Sequence, residues 1–142
     1  LEGSPDLKYA KIVATHLNTK HHEIIVSEEE FLNAIPDVIR RIESYDTTTV
    51  RASVGNCLIG KYISENSEAK VIFNGDGADE LMGGYLYFHK CDSALKFDNE
   101  CRRLLENISS FDVLRSDRSI SSWGLEPRTP FLDKSFVTFY LG

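Results

Sequence analysis

Val71-Ile-Phe-Asn-Gly-Asp-Gly-Ala-Asp-Glu-Leu-Met-Gly-Gly-Tyr-Leu-Tyr87 is the stretch whose reading decides the fold. Its opening apolar run, Val71-Ile72-Phe73, predicts a short buried strand. The run breaks at Asn74-Gly75-Asp76-Gly77, where the glycines allow a sharp turn and close approach of backbone to a ligand. Ala78-Asp79-Glu80-Leu81-Met82 can then begin a helix. A strand, a Gly-rich turn and a helix start can present free backbone N–H groups and a positive dipole end to an anion. Asp76, Asp79 and Glu80 share that turn, and carboxylates repel phosphate unless a divalent cation lies between them. A Mg²⁺-nucleotide is the ligand this combination suggests. Ordinary turn composition explains the same residues without any ligand. The dinucleotide fingerprint is incomplete, because Glu80 stands where its third glycine belongs. A calcium loop starting at Asn74 fails at Ala78 and Asp79.

Working outward, Ser4-Pro5-Asp6 is a helix start, with Leu7, Ala10, Val13, Ala14 and Leu17 forming one apolar face. His21-His22-Glu23-Ile24-Ile25-Val26 predicts a strand entering the core. Its adjacent histidines would face opposite ways, which disfavours a metal pair. Ser27 and Glu30 form a capping box before a helix carrying Phe31, Ile35, Val38, Ile39 and Ile42. Tyr45 to Val50 predicts an extended or capping segment, and Arg51 a helix with Val54, Cys57, Leu58 and Tyr62 on one side. Threonine hydroxyls beside Arg51 suit an oxyanion cradle, or plain capping with a surface arginine. Gly83 and Gly84 precede an aromatic segment, Tyr85 to Lys90, that could be a lid or packing. A helix through Phe97, Cys101, Leu104, Leu105, Ile108 and Phe111 follows, then one from Asp112 to Ser122. Pro127 and Pro130 keep Glu126 to Pro130 extended, and Asp133 caps a last helix with Phe136, Val137, Tyr140 and Leu141 inward. Strands separated by helices imply an α/β chain with a parallel sheet and a mostly helical C-terminal portion.

The 142 residues make one modest domain, and the net charge of −6 argues against nucleic acid or an anionic membrane as partner. Cys57, Cys91 and Cys101 form no C-x-x-C pair, so neither a zinc site nor a disulfide framework is expected, and a reducing cytoplasmic setting is. No apolar run approaches roughly 18 residues. The chain starts Leu1-Glu2-Gly3 without Met and ends Leu141-Gly142 in mid-pattern, which leads us to expect a piece of a longer protein.

The central stretch resembles the S-G-E-G-S-D-E…G-Y-x-Y-F-H-K signature of glutamine-hydrolysing asparagine synthetases. Further stretches agree in the same order: Gly3 to Leu7, His21-His22-Glu23, Glu43 to Ser53, Phe111 to Arg118 and Gly124 to Asp133. The resemblance implies part of an adenine-nucleotide alpha-hydrolase-like (ATP-pyrophosphatase) domain. It would span 1–142 but lack the upstream S-G-G-x-D-S pyrophosphate loop and the glutaminase domain. It implies a cytoplasmic ligase of asparagine biosynthesis that uses ATP and Mg²⁺ and amidates aspartate through a β-aspartyl-adenylate. Ammonia would come from the glutaminase domain, and the full-length protein could be a homodimer. Carried over by position, Asn74 and Gly75 contact ATP, and Gly77, Thr48 and Tyr85 join them. Asp79 is the Mg²⁺ carboxylate, Asp76 the intermediate-forming residue and base, and Arg51 the catalytic cation on the pyrophosphate side. Glu126 and Arg128 are weaker candidates for the substrate region.

Three residues depart from the family's loop: Asn74 for Ser, Asp76 for Glu and Ala78 for Ser. Asp76 is one methylene short, and a shift of about 1 Å can cost about 10²-fold in rate. Because the pyrophosphate loop and the glutaminase domain lie outside it, the chain alone is expected to bind ATP poorly and to be inactive. A non-catalytic remnant serving as an interaction module is the alternative. A β-lactam synthetase is a further relative, but it carries Tyr where Asp76 stands.

Overall fold

The computed structural model describes residues 3–142. Helix α1 is Pro5–Leu17, α2 is Glu28–Ile42 and α3 is Thr47–Asn66; the core forms where α2 and α3 meet, and α6, defined below, closes against both. Helix α2 starts as the sequence predicts. Ser27 Oγ accepts from the Glu30 amide at 3.1 Å, and the Glu30 carboxylate accepts from the Ser27 amide at 2.9 Å. Its apolar stripe buries Val38 and Ile42 against Val50, Val54 and Cys57 of α3.

Helix α3 starts earlier than expected. Asp46 is the N-cap, its carboxylate accepting from both the amide and the hydroxyl of Thr49 at 2.7 Å. The threonines read as an extended or capping segment are therefore the first turn of the helix. β-Branching gives Thr a strand preference, but the cap satisfies the first-turn amides and overrides it.

Strand β1 is Val71–Phe73, helix α4 is Ala78–Met82, and a 3₁₀ turn spans Leu86–Lys90. Helix α5 is Ala94–Asn107, α6 is Asp112–Ser121, β2 is Glu126–Arg128 and α7 is Lys134–Leu141. Glu126 to Arg128 was expected only to be extended, yet it pairs parallel with β1, Ile72 opposite Pro127. Bonds flanking this register, Glu126 N–H to Lys70 O at 2.7 Å and Asn74 N–H to Arg128 O at 3.0 Å, ask nothing of the proline nitrogen. Leu81 of α4, Phe88, Cys101 of α5 and Ile108 are buried as well, and α4 packs on α5.

Several expectations fail on packing. The predicted strand at His21–Val26 is irregular backbone, because no described strand lies beside it to complete a ladder. Strand β1 forms but is not buried: Val71 is 51% exposed and Phe73 77%, both on the same side of a two-stranded sheet that nothing described covers. Helices α1 and α7 form but bury no residue: Val13 and Leu17 of the α1 apolar face are exposed, and so is Tyr140 of α7, which was expected inward, while Phe136, Val137 and Leu141 are half-buried. Phe111 also lies on the surface. Cys57 is core, as expected, and all three cysteines are free thiols. No described helix is long and apolar enough to cross a membrane.

Candidate functional site

The turn after β1 is tied down by its first residue. Asn74 Nδ2 donates to Ser116 Oγ of α6 at 2.8 Å and to Asp76 Oδ2 at 3.0 Å, while Asn74 Oδ1 accepts from the Asp76 amide at 3.2 Å. This Asx turn draws the Asp76 carboxylate back over its own loop. Gly75 is exposed, and its carbonyl accepts from the Ala78 amide at 3.2 Å. Gly77 must be glycine twice over: its φ is +90°, and a Cβ there would collide with Leu132. Helix α4 is only five residues long, so its dipole is much smaller than that of a multi-turn helix.

The three carboxylates of the turn do not converge. Asp76 is held by Asn74. Glu80 is buried at 5% exposure and accepts a hydrogen bond from the Tyr85 hydroxyl. Asp79 is exposed and folds toward Gly84, and no hydrogen bond or ion pair engages its carboxylate among the described residues. Among those residues no group of three His, Cys, Asp or Glu side chains could hold a metal ion by itself. Mg²⁺ characteristically keeps several waters and takes one or two carboxylates plus substrate phosphates. A lone accessible carboxylate such as Asp79 fits that ligand set; a preformed protein cage does not exist here.

Thr48 and Tyr85 come together. With Glu80, Tyr87 and Asp112 they line a cleft of about 450 Å³ between α3, α4, α5 and α6, to which α5 contributes Glu100, Arg103 and Leu104. Thr48 and Asp112 also border an adjoining cleft of about 460 Å³, which Thr49, Arg115 and Arg118 line as well. Arg51, one helical turn beyond Thr48, is exposed and borders neither cleft. Glu126 and Arg128 pair with each other at 2.5 Å on β2, both mostly in solvent.

The aromatic segment after the double glycine is packing in this structure. Phe88 is buried against Phe97, with ring centroids 4.8 Å apart, and Tyr85, Tyr87 and Phe88 stack in sequence. Burial raises the Tyr85 phenol far above the ordinary tyrosine range, and its bond to Glu80 and the charges of Glu80, Asp112 and Asp79 add to this. Tyr85 is thus a hydrogen-bond donor at any physiological pH.

Sequence reasoning passed over Asp112 and Arg115. Arg115 pairs with Asp112 at 2.5 Å, and its Nε is buried without a partner. Burial raises the Asp112 carboxyl; the Arg115 guanidinium pulls the other way, and Glu80 and Asp76 push it up further. The signal was in view, since both residues lie in the Phe111 to Arg118 stretch, but that stretch was read only as a helix, with no role given to its side chains.

The asparagine synthase family model matches residues 1–97 and 92–142. The chain is 50% identical over 141 residues, 99% of its length, to asparagine synthetase (glutamine-hydrolyzing) of Bos taurus. It is equally similar to the protein of that name in Homo sapiens, and 49% identical to that of Gallus gallus. In each case the matched region is 25% of the relative's length, so the chain spans about a quarter of the curated relatives it matches.

Proposed function

Because this chain belongs to the asparagine synthase family, we propose that it is part of the ATP-pyrophosphatase-type synthetase domain of an aspartate-amidating ligase. The side-chain carboxylate of aspartate attacks the α-phosphorus of ATP, forming an acyl–phosphate bond as pyrophosphate leaves. Ammonia then attacks the acyl carbon, AMP departs, and a proton is lost from nitrogen to give the amide. Glutamine is the nitrogen source in this reading, through a glutaminase domain elsewhere in the protein.

The observation that carries the reading is the meeting of Thr48, Tyr85, Glu80 and Asp112 in one cleft, with Glu80 of α4 on its wall; Asn74, Gly75, Asp76, Gly77 and Asp79 do not line it. Its volume of about 450 Å³ is within the roughly 300–1,000 Å³ of small-molecule sites. Asn74 and Gly75 meet the nucleotide, with Gly77 giving the backbone its sharp turn. Thr48 and Arg51 face the departing pyrophosphate, whose charge must be neutralised before it leaves. Asp79 would supply one oxygen to a Mg²⁺ ion arriving with the nucleotide phosphates, and that ion would screen the leaving group. Asp76 is the base that takes the proton from nitrogen. Tyr85 orders Glu80 at the cleft wall. The reaction suits a cytoplasmic ligase, and the assembled protein could work as a homodimer.

A second reading, a non-catalytic interaction module, is favoured by one observation: apolar side chains stand exposed on β1 and α1, with Phe73 at 77% and Leu17 at 62%.

Intact-mass measurement of the protein immunoprecipitated from its source cells separates the two. The enzyme reading expects a species several times heavier than 16.1 kDa, with an S-G-G-x-D-S peptide upstream and aspartate-dependent pyrophosphate release that Asp79→Ala abolishes. The 142 residues alone are expected to release none. A native species of 16.1 kDa would sink the enzyme reading in favour of the module.

A further inference from the structure

Gly83 and Gly84 are glycines for different reasons. Gly83 ends α4 with φ +66°, and a Cβ there would run into the Phe97 ring. Conformation and space both demand glycine at that position. Gly84 has no positive φ, so its backbone is one that any L-residue adopts. Its amide donates to the Asp79 carbonyl at 2.9 Å, which closes the end of the helix and fixes where Gly84 Cα lies. The three heavy atoms nearest to a side chain there all belong to Asp79. A Cβ on Gly84 would sit 2.9 Å from Asp79 Cγ and 3.1 Å from Asp79 Cα, and would overlap Oδ1 outright. The Asp79 carboxylate thus fills the volume a Cβ would take.

No described hydrogen bond or ion pair orients the Asp79 carboxylate. What holds its direction is the gap that Gly84 leaves beside it. We propose that Gly84 is a positioning residue: by lacking a Cβ it admits the Asp79 carboxylate to one orientation, in which it is presented to a divalent cation. The cation part rests on the reading of Asp79 given above; the steric part does not. Asp79 is exposed and its carboxylate is the far end of a short side chain. A methyl on Gly84 therefore turns the carboxylate away and leaves the helix end in place.

The test is Gly84→Ala in the 142-residue chain, with Gly55→Ala as control, since a Cβ at Gly55 meets nothing within 4 Å. Side-chain NMR couplings and the ¹³Cγ resonance report the Asp79 rotamer, and Mn²⁺ titration in the presence of ATP, whose phosphates bring the ion, reports the cation through paramagnetic broadening of that resonance. The expected result is a changed Asp79 rotamer, a urea midpoint close to wild type, and about 10-fold more Mn²⁺ needed for the same broadening. Gly55→Ala leaves all of these Asp79 signals alone. An unchanged Asp79 rotamer in Gly84→Ala overturns the proposal. A changed rotamer together with no Mn²⁺ broadening of Asp79 in the wild-type chain refutes Asp79 as a cation ligand, and leaves Gly84 as the residue that sets its direction. Should Gly84→Ala unfold the chain, the Gly84→Ala/Asp79→Ala double variant must refold, because the colliding carboxylate is gone; an unfolded double variant overturns the proposal.

Discussion

Replacing Tyr85 with Phe removes one oxygen and leaves the ring. In the folded chain that oxygen donates to Glu80, which is 5% exposed. The variant therefore leaves a carboxylate that is only 5% exposed short of a donor. A hydrogen bond to a charged group contributes about 1.5–3 kcal/mol net, the cost rising when the orphaned partner is buried. We expect Tyr85→Phe to lose about 2 kcal/mol in urea denaturation with an unchanged slope, the sign that compactness is kept. Glu80→Gln provides the partner measurement. Against a neutral amide acceptor the same substitution should cost only about 0.5–1.5 kcal/mol, and the difference is the coupling between the two side chains. The pH dependence has a defined sign. The folded Tyr85 phenol is raised, by burial first and then by Glu80, so its contribution is complete below the unfolded value of about 10. It is lost as pH rises from there toward the folded value. The Tyr85→Phe chain should lack that part of the alkaline loss. A Tyr85→Phe chain within about 0.5 kcal/mol of wild type, or an equal loss in the Glu80→Gln background, would refute the reasoning.

Two further outcomes test the packing around this site. Arg41 lies over the ring of Trp123, 3.8 Å from its centroid, and also bonds Asp37 at 2.6 Å; Arg41→Ala should shift the emission of the single tryptophan and cost about 1–2 kcal/mol in the same denaturation assay. The Arg103 guanidinium, and after it the Tyr87 hydroxyl, hold the Glu100 carboxyl down to about 2; a carboxylate NMR titration should find it there, and Arg103→Ala should return it toward the ordinary glutamate value. Glu100 favours the fold above the unfolded glutamate pKa and loses that contribution as pH falls toward about 2. A Glu100 midpoint that ignores Arg103→Ala would contradict the assigned cause.

The capping box at Ser27, the cap at Asp133 and the apolar stripe of α2 were legible in sequence, because each is a local pattern whose partners lie within a few residues. The glycine turn at Asn74–Gly77 was legible for the same reason: its chemistry is fixed by φ angles and an Asx bond over two residues. The resemblance to asparagine synthetases was legible as residue order along the whole chain, which needs no coordinates. What the sequence could not say is which side chains share a space. Asp76, Asp79 and Glu80 look like one cluster in a five-residue span, yet each is claimed by a different neighbour: Asn74, the gap at Gly84, and Tyr85. Thr48 and Tyr85 are far apart in sequence but line one cleft, whereas Arg51 next to Thr48 does not. Whether a strand is buried is likewise a property of what covers it. Val71-Ile72-Phe73 has the composition of an inner strand, and its exposure was decided by the absence of a described neighbour across its open face. Local hydrogen bonds and backbone angles are encoded within a few residues; convergence and burial depend on contacts between distant segments, and only the tertiary structure decides them.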